Sequence, residues 1–188
     1  GQFDAAIALQ RRAVEADPLS TLARYNLGSI LYLAGRRDEA KSELLALEEL
    51  NPAPDYVNEA LGLVLVLEGR YDEVLELVRE WPDESSRRHC LALAYHGLGR
   101  RSDSDGALVV LAAAPRSTDR IRVAEVPAYR GEVDEAFRWL NLATEQSSVV
   151  PGPMGDQSGL WIVRRSPFLQ PLHADPRWGA WLESAGDL

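Results

Sequence analysis

The sequence contains little of what stabilises many secreted proteins or anchors membrane proteins. Among its 188 residues there is one cysteine, Cys90, so no disulfide can form within the chain. No apolar run approaches the roughly 20 residues that a membrane-spanning helix needs. No charged-then-apolar leader opens the chain, so nothing marks it for secretion. We therefore expect a cytoplasmic protein that has no membrane partner.

Basic side chains are also scarce. The chain has 20 Lys and Arg residues against 29 Asp and Glu residues, which gives a net charge of −9. Only residues 85–130 have a positive balance, with 8 basic and 4 acidic side chains. Nucleic-acid binding requires a contiguous basic face, so we expect no direct nucleic-acid partner. The basic stretch is more typical of a solvated surface; contact with an acidic partner or a neighbouring domain is the alternative.

Catalytic and metal-binding motifs are missing as well. The only cluster with catalytic or metal-binding side chains consists of His89, Cys90 and His96. The two histidines are seven positions apart, which is ~10 Å along a helix and too far for both to bind one metal ion. Cys90 would point ~100° away from His89 on a helix. The glycine cluster at 152–159 lacks the Gly-Lys-Ser/Thr of a phosphate-binding loop. We expect no cofactor, no metal and no enzyme; an enzyme that uses the two histidines is the least favoured hypothesis.

What the sequence does contain is an internal repeat of about 34 residues. Gly28 and Gly62 lie 34 residues apart, and so do Gly35 and Gly69. Five phased copies in a chain of this length do not arise by chance. A small residue recurs at one repeat position in all five: Ala6, Ala40, Val74, Ser104 and Ala136.

Each copy predicts two helices. Gly35 is placed to adopt the left-handed conformation that ends the first helix, and the second ends at Asn51-Pro52 because proline disfavours a helical residue before it. Gly28 and Gly62 fall inside first helices, at a cost of ~1 kcal/mol each relative to alanine. That cost indicates that a neighbouring helix approaches closely there. Apolar and small residues of 21–34 follow the 3.6-residue period of a packed helix: Ala23, Leu27, Ile30, Leu31 and Ala34.

The sequence resembles the tetratricopeptide repeat in four short segments. Two lie within the repeats, Asn26-Leu27-Gly28 and Gly69-Arg-Tyr-Asp-Glu, and two close them, Asp17-Pro18 and Asn51-Pro52. The resemblance covers residues 1–145 and implies an all-α fold, a right-handed α-α superhelix of helix pairs. It assigns a half repeat to 1–20 and repeats to 21–54, 55–84, 85–116 and 117–145. Pro127 lies in the first helix of the last repeat, where it predicts a kink or an early stop.

The C-terminal residues 146–188 break the periodicity. Proline, glycine and serine dominate residues 144–159, which predicts a loop. Apolar residues then gather in 160–182, and Asp175-Pro176 predicts the start of a helix. We expect this irregular, Trp-rich segment to cap the open end of the repeats.

The first residue, Gly1, holds the position between the two helices of a repeat, and no initiator methionine precedes it. We therefore expect the natural protein to continue upstream. The C-terminal segments Ala128-Tyr-Arg-Gly-Glu and Pro167-Phe-Leu-Gln-Pro-Leu172 resemble the ends of certain bacterial repeat proteins. This resemblance implies a bacterial protein with an N-terminal nucleotide-cyclase or winged-helix DNA-binding domain.

Positions 2, 5, 9, 12 and 13 of each first helix line the concave groove in the family that the chain resembles. The set is aromatic and aliphatic, and it lacks the Lys, Asn and Arg side chains with which some members bind a terminal carboxylate. We therefore expect an apolar extended segment or an amphipathic helix as ligand. Two alternatives stay open: about half of these residues pack against the next helix, or residues 160–182 fill the groove from within. The candidate groove residues are Tyr25, Ser29, Tyr32, Tyr56, Glu59, Leu63, Val66, His89, His96 and Tyr129.

The leading functional hypothesis is a non-catalytic scaffold that binds a protein or peptide partner in this groove. The alternative is an intramolecular regulatory domain that controls an upstream cyclase or DNA-binding domain. A homodimer is a further partner arrangement that this composition allows.

Overall fold

A computed structural model describes residues 2–50, 55–113, 119–145 and 163–186 of the chain. Within these ranges the chain forms helices and turns and no β-strand, which confirms the all-α fold. Residues 163–165 are helical and a short 3₁₀ helix spans Gln170–Leu172. The α-helices are α1 (Gln2–Ala16), α2 (Thr21–Leu33), α3 (Arg37–Leu50), α4 (Asp55–Leu67), α5 (Tyr71–Leu77), α6 (Glu84–Gly97), α7 (Arg101–Ala112), α8 (Asp119–Tyr129), α9 (Val133–Glu145) and α10 (Arg177–Gly186).

The helices belong to two compact units, residues 1–90 and 91–188, and the boundary between them falls within α6. In unit 1, α1 packs on α2, α2 on α3, α3 on α4 and α4 on α5, and α2 also contacts α4. In unit 2, α7 packs on α8 and α8 on α9, while the 3₁₀ helix contacts α8 and α10 contacts α9. Sequence-adjacent helices therefore pack together, as in helical repeats.

A glycine in the left-handed conformation follows each of the helices α2, α4, α6 and α8. Gly35, Gly69, Gly99 and Gly131 have φ angles of 75°, 74°, 71° and 78°, and each preceding helix ends two residues earlier. In the first turn the Gly35 N–H donates to the carbonyl of Tyr32 at 3.0 Å. Such left-handed glycines end helices without the strain that a Cβ would bring. The prediction for Gly35 is confirmed.

The two mid-helix glycines, Gly28 and Gly62, lie where side chains of other helices come close. A Cβ on Gly28 would be 3.0 Å from the Leu44 side chain of α3. A Cβ on Gly62 would be 2.9 Å from Sγ of Cys90, nearer than such atoms approach in real structures. The close approach predicted at both positions is confirmed.

Pro127 does not stop α8 early. The helix continues to Tyr129 and ends two residues before Gly131, as the other first helices end before their glycines. The carbonyl of Pro127 still accepts the Glu132 N–H at 2.8 Å. Proline has no N–H, so a helix that contains it lacks one backbone hydrogen bond. Pro127 lies in the last turn of α8, where this loss does not shorten the helix. The predicted early stop is therefore wrong.

Candidate protein-binding site

In unit 1, α2 carries predicted site residues on one accessible side. Tyr25, Ser29 and Tyr32 are spaced by four and three residues, which places their side chains on one helix face, and all three are partly exposed. Leu22, three residues before Tyr25, is 66% exposed. Leu63 of α4 is partly exposed, and α4 contacts α2. We refer to these five residues as the α2/α4 face.

The predicted site residue Glu59 is engaged by α6. Ser86 Oγ donates a hydrogen bond to Glu59 Oε2 at 3.1 Å, and His89 Nδ1 lies 3.3 Å from Oε1. The side chain of Glu59 is 12% exposed and that of His89 is 1% exposed. A carboxylate with so little solvent needs hydrogen-bond partners. Glu59 therefore joins α4 to α6 and offers little charge to a ligand.

Two predicted site residues are buried. Val66 and His89 are each 1% exposed. Val66 lies in α4, which packs on α3 and α5 and also contacts α2, and His89 Nδ1 lies 3.3 Å from Glu59 Oε1. These two side chains leave almost no surface to a ligand, and their place in the binding site stays a prediction. The side chain of Tyr56 lies outside the described residues.

In unit 2, the predicted residues His96 and Tyr129 meet edge to face, with ring centroids 5.6 Å apart. Tyr129 also meets Phe168 of the C-terminal segment edge to face at 5.4 Å. The pKa of His96 lies below its ordinary value of 6.5. The main cause is burial of the ring, and the positive charges of Arg130 and Arg101 lower the pKa further. The imidazole is therefore neutral at pH 7 and takes part in an aromatic contact between uncharged rings.

Residues 163–172 cover the side of α8 that carries Glu125 and Tyr129. Phe168, Leu169 and Leu172 of this segment are each 0% exposed, and the 3₁₀ helix contacts α8. Ser166 Oγ donates a hydrogen bond of 2.5 Å to Oε1 of Glu125. The C-terminal segment therefore occupies the side of α8 on which the predicted site residue Tyr129 lies. Residues 160–162 lie outside the described part of the chain.

Ser166 is the residue of this contact that the sequence does not single out. It is 2% exposed and lies between the exposed Arg165 and the partly buried Pro167. The available signal is indirect: the apolar residues of this stretch follow neither a helical nor a strand period. Such an apolar cluster indicates burial against another element without indicating which one.

The remainder of the C-terminal segment packs on α9. Trp178 and Trp181 stack with ring centroids 5.6 Å apart and share a core with Phe137 of α9. Asp175 accepts the backbone N–H of Arg177 at 2.9 Å, which confirms the helix start predicted at Asp175-Pro176. The guanidinium of Arg177 lies 4.5 Å from the centroid of the Phe137 ring. Arg177 Nη1 also forms an ion pair with Oδ1 of Asp134 in α9 at 2.8 Å. The start of α10 is therefore held against α9 by an ion pair and by a cation–π contact.

No group of three or more His, Cys, Asp or Glu side chains is placed to hold a metal ion in the part of the chain that the structure describes. None of the described helices is long and apolar enough to cross a membrane. The accessible chemistry of the α2/α4 face is that of aromatic and aliphatic side chains with three hydroxyl groups, those of Tyr25, Ser29 and Tyr32.

Comparison with known proteins places this face within a recognised repeat. Residues 1–63 match the family model of the tetratricopeptide repeat, a stretch that contains α1 to α3 and the first part of α4. No curated protein matches the chain. The fold and this match define an all-α protein of helix-pair repeats, similar over its N-terminal third to a family that generally mediates protein–protein interaction.

Proposed function

We propose that this chain is a non-catalytic scaffold that binds an apolar extended segment or an amphipathic helix on its α2/α4 face. The observation that carries the proposal is the 66% exposure of Leu22 on the same side of α2 as Tyr25 and Tyr32. Residues 1–63, which hold the whole face, are the part of the chain similar to a protein-binding repeat family.

The composition of the face supports an apolar ligand. Transferring the exposed area of Leu22 from water to an interface is worth about 1–2 kcal/mol. Tyrosine side chains contribute large contact areas at a small loss of conformational freedom and are common anchors of interfaces. The carboxylate of Glu59 in α4 is already engaged by Ser86 and His89, and that of Glu43 pairs with Arg24 of α2. Little charge is therefore available to select an ionic partner.

The geometry of the face supports an elongated ligand. Leu22 and Tyr32 stand ten residues apart, about 15 Å along α2. A single side chain cannot span that distance, whereas four or five residues of an extended segment or three turns of a helix can. Helix-in-groove binding uses anchors at this kind of spacing.

The experiment is a selection of peptides from a random phage-displayed library on the intact chain, followed by affinity measurement on two variants. We expect the selected peptides to be rich in aromatic and aliphatic residues. Leu22→Asp should weaken their binding by about tenfold or more, because it removes apolar contact and requires a carboxylate to lose its solvent.

Leu9→Asp is the matched control. Leu9 lies on α1, outside the α2/α4 face, and is 63% exposed, so the substitution has the same chemistry at a comparable exposure. It should change the affinity less than about twofold, a difference of some 0.4 kcal/mol. Equal losses with both variants, or a failure to enrich any peptide, would contradict the proposal.

A further inference from the structure

Helices α9 and α10 of unit 2 border a cleft of about 540 Å³. We propose that this cleft binds a proline-rich segment of a partner protein in the polyproline II conformation. The cleft shares no residue with the α2/α4 face, so the proposal does not rest on the function proposed above.

The cleft is a short groove between two helices. α9 contributes four residues from Asp134 to Asn141, and α10 contributes four from Arg177 to Ser184. Both sets follow the spacing i, i+3, i+4, i+7, which is one face of a helix. Seven residues of a helix span about 10 Å. A polyproline II segment advances about 3.1 Å per residue, so one turn of about three residues matches the length of the groove.

Two aromatic rings form the buried part of the lining. Phe137 and Trp181 are each 4% exposed and belong to one core cluster, whereas the other lining residues are exposed. One of these, Ala180, ends at its Cβ, which lets a ligand approach α10 closely. Grooves lined by aromatic rings are the surfaces on which polyproline II segments dock.

The uncharged polar groups of the lining can all donate hydrogen bonds. Trp181 Nε1–H can only donate; it is buried and has no hydrogen-bond partner in the described part of the chain. Ser184 contributes a hydroxyl and Asn141 an amide. A buried donor without an acceptor is destabilising, so a ligand carbonyl would be favoured at Trp181. Proline has a carbonyl but no N–H, so a proline-rich backbone supplies acceptors and brings no donor that needs a partner.

The charged groups of the lining are already paired, which favours a ligand without charge. Arg177 Nη1 lies 2.8 Å from Oδ1 of Asp134, and Arg177 Nη2 lies 2.8 Å from Oδ2 of Asp175. Arg138 pairs with Glu135. A charged ligand would lose solvent in the cleft and find these counter-charges engaged. An uncharged proline-rich segment avoids that loss, and its conformation is set before it binds.

The test is fluorescence anisotropy of a dye-labelled, amidated decaproline peptide with the intact chain. A glycine-serine peptide of equal length is the control peptide, because it is uncharged and flexible. We expect decaproline to bind at least about tenfold more tightly than the control peptide. Leu22→Asp, which changes the α2/α4 face, should leave the affinity for decaproline unchanged. This variant therefore separates the outcome for the cleft from the outcome for the proposed function.

The place of binding is tested by Ala180→Glu, which puts a charged side chain into the cleft. This variant should bind decaproline at least about tenfold more weakly. Gly179→Glu is the matched control, since it adds the same side chain at the next position of α10, which does not line the cleft. No atom lies within 4 Å of a Cβ added there, so its affinity should change less than about twofold. Both positions are exposed, and circular dichroism confirms that both variants keep their helices.

The role of the Trp181 donor is tested by proton–nitrogen correlation NMR of the indole groups. Decaproline should shift the Nε1–H resonance of Trp181, which is assigned by its loss in Trp181→Phe, and should leave that of Trp81 in unit 1 unchanged. Folded Trp181→Phe should bind decaproline at least about threefold more weakly, because the hydrogen bond to the ligand is lost.

Three results would overturn the inference. The first is that decaproline binds no better than the glycine-serine peptide. The second is an equal loss of affinity with Ala180→Glu and Gly179→Glu, or an indole shift at Trp81 in place of Trp181. The third is a concentration-dependent dimer that Ala180→Glu abolishes, which would make a second copy of the chain the occupant of the cleft.

Discussion

Lys41 and Glu68 form the same contact as Asp105 and Arg130, with the two charges exchanged. Lys41 Nζ lies 2.7 Å from Glu68 Oε2, and Arg130 Nη1 lies 2.8 Å from Asp105 Oδ1. Lys41 and Asp105 each follow the small repeat residue of a second helix, and Glu68 and Arg130 each precede a left-handed glycine. Each pair is attractive because its two charges are opposite. If the repeats exchanged partners, Lys41 would meet Arg130 and Asp105 would meet Glu68, and both combinations are like-charged.

Lys41→Gln should destabilise the chain in a pH-dependent manner. Burial raises the pKa of Glu68, but hydrogen bonds from Lys41 and Arg70 outweigh it and leave the pKa below its ordinary value of 4.5. A lowered carboxyl pKa stabilises the fold above pH 4.5 and loses that effect as the pH falls through the folded-state value. We expect a loss of about 0.5–1 kcal/mol at pH 7 in urea unfolding. The loss should shrink below pH 4, and an equal loss at pH 7 and pH 3.5 would contradict this account.

Ser104→Ala should destabilise the chain even though it restores the residue that three other repeats have. The Ser104 hydroxyl donates to the carbonyl of Ala92 and accepts a hydrogen bond from Arg130, whose side chain is 1% exposed. Removing the hydroxyl takes a partner from a buried guanidinium, at a cost of about 1–3 kcal/mol in urea unfolding.

The matching variant for that prediction is Arg130→Leu, alone and together with Ser104→Ala. Once the guanidinium is gone, the hydroxyl has no charge to accept from, so Ser104→Ala should cost less in this background. A double-mutant cycle should give a coupling of about 1 kcal/mol or more. If the losses in the free energy of unfolding from the two substitutions simply add, the hydrogen bond between Ser104 and Arg130 does not contribute to stability.

Gly62→Ala should destabilise the chain in spite of alanine's higher helix propensity. The new Cβ would lie 2.9 Å from Sγ of the buried Cys90, so overpacking of about 1–3 kcal/mol should exceed the propensity gain of about 1 kcal/mol. Thermal unfolding should show a lower midpoint, and Cys90→Ala in the same chain should restore part of it. Gly106→Ala is the control: no atom lies within 4 Å of its added Cβ, so this variant should be more stable than the unsubstituted chain.

Asp175→Asn should flatten the acid dependence of stability. Side-chain and backbone hydrogen bonds from Arg177 lower the pKa of Asp175 from 3.8 to about 2. The stabilisation is complete above the unfolded-state value and is lost as the pH falls from about 4 towards 2. Asparagine is an equally good residue at a helix start but does not titrate. The variant should therefore lose less stability than the unsubstituted chain over this interval, and parallel curves would contradict the assignment.

The helix pairs and their glycines were predictable because their causes are local. A left-handed residue at Gly35 follows from the residues around it, and the cost of a glycine inside a helix identifies Gly62 as a place of close approach. The hydrogen bond between Ser166 and Glu125 joins residues 41 positions apart, and no period relates them. The burial of His89 likewise depends on Glu59, 30 positions earlier. Contacts of this kind depend on how the helices and the C-terminal segment pack together. The pattern of residues in one sequence does not indicate which distant positions will meet.

The early stop predicted at Pro127 fails for a related reason. The rule that proline interrupts a helix is a statement about the interior. Whether Pro127 is interior depends on where the helix ends, and the left-handed turn at Gly131 fixes that end at Tyr129.

Hydrogen–deuterium exchange of the intact chain, with and without a selected apolar peptide, tests the central claim most directly. If the α2/α4 face is the binding site, the peptide should slow amide exchange in α2 (Thr21–Leu33) and α4 (Asp55–Leu67). α7 and α9 of unit 2 serve as internal references and should exchange at unchanged rates. Protection confined to other helices, or no protection at saturating peptide, would contradict the claim that this chain binds its partner through α2 and α4.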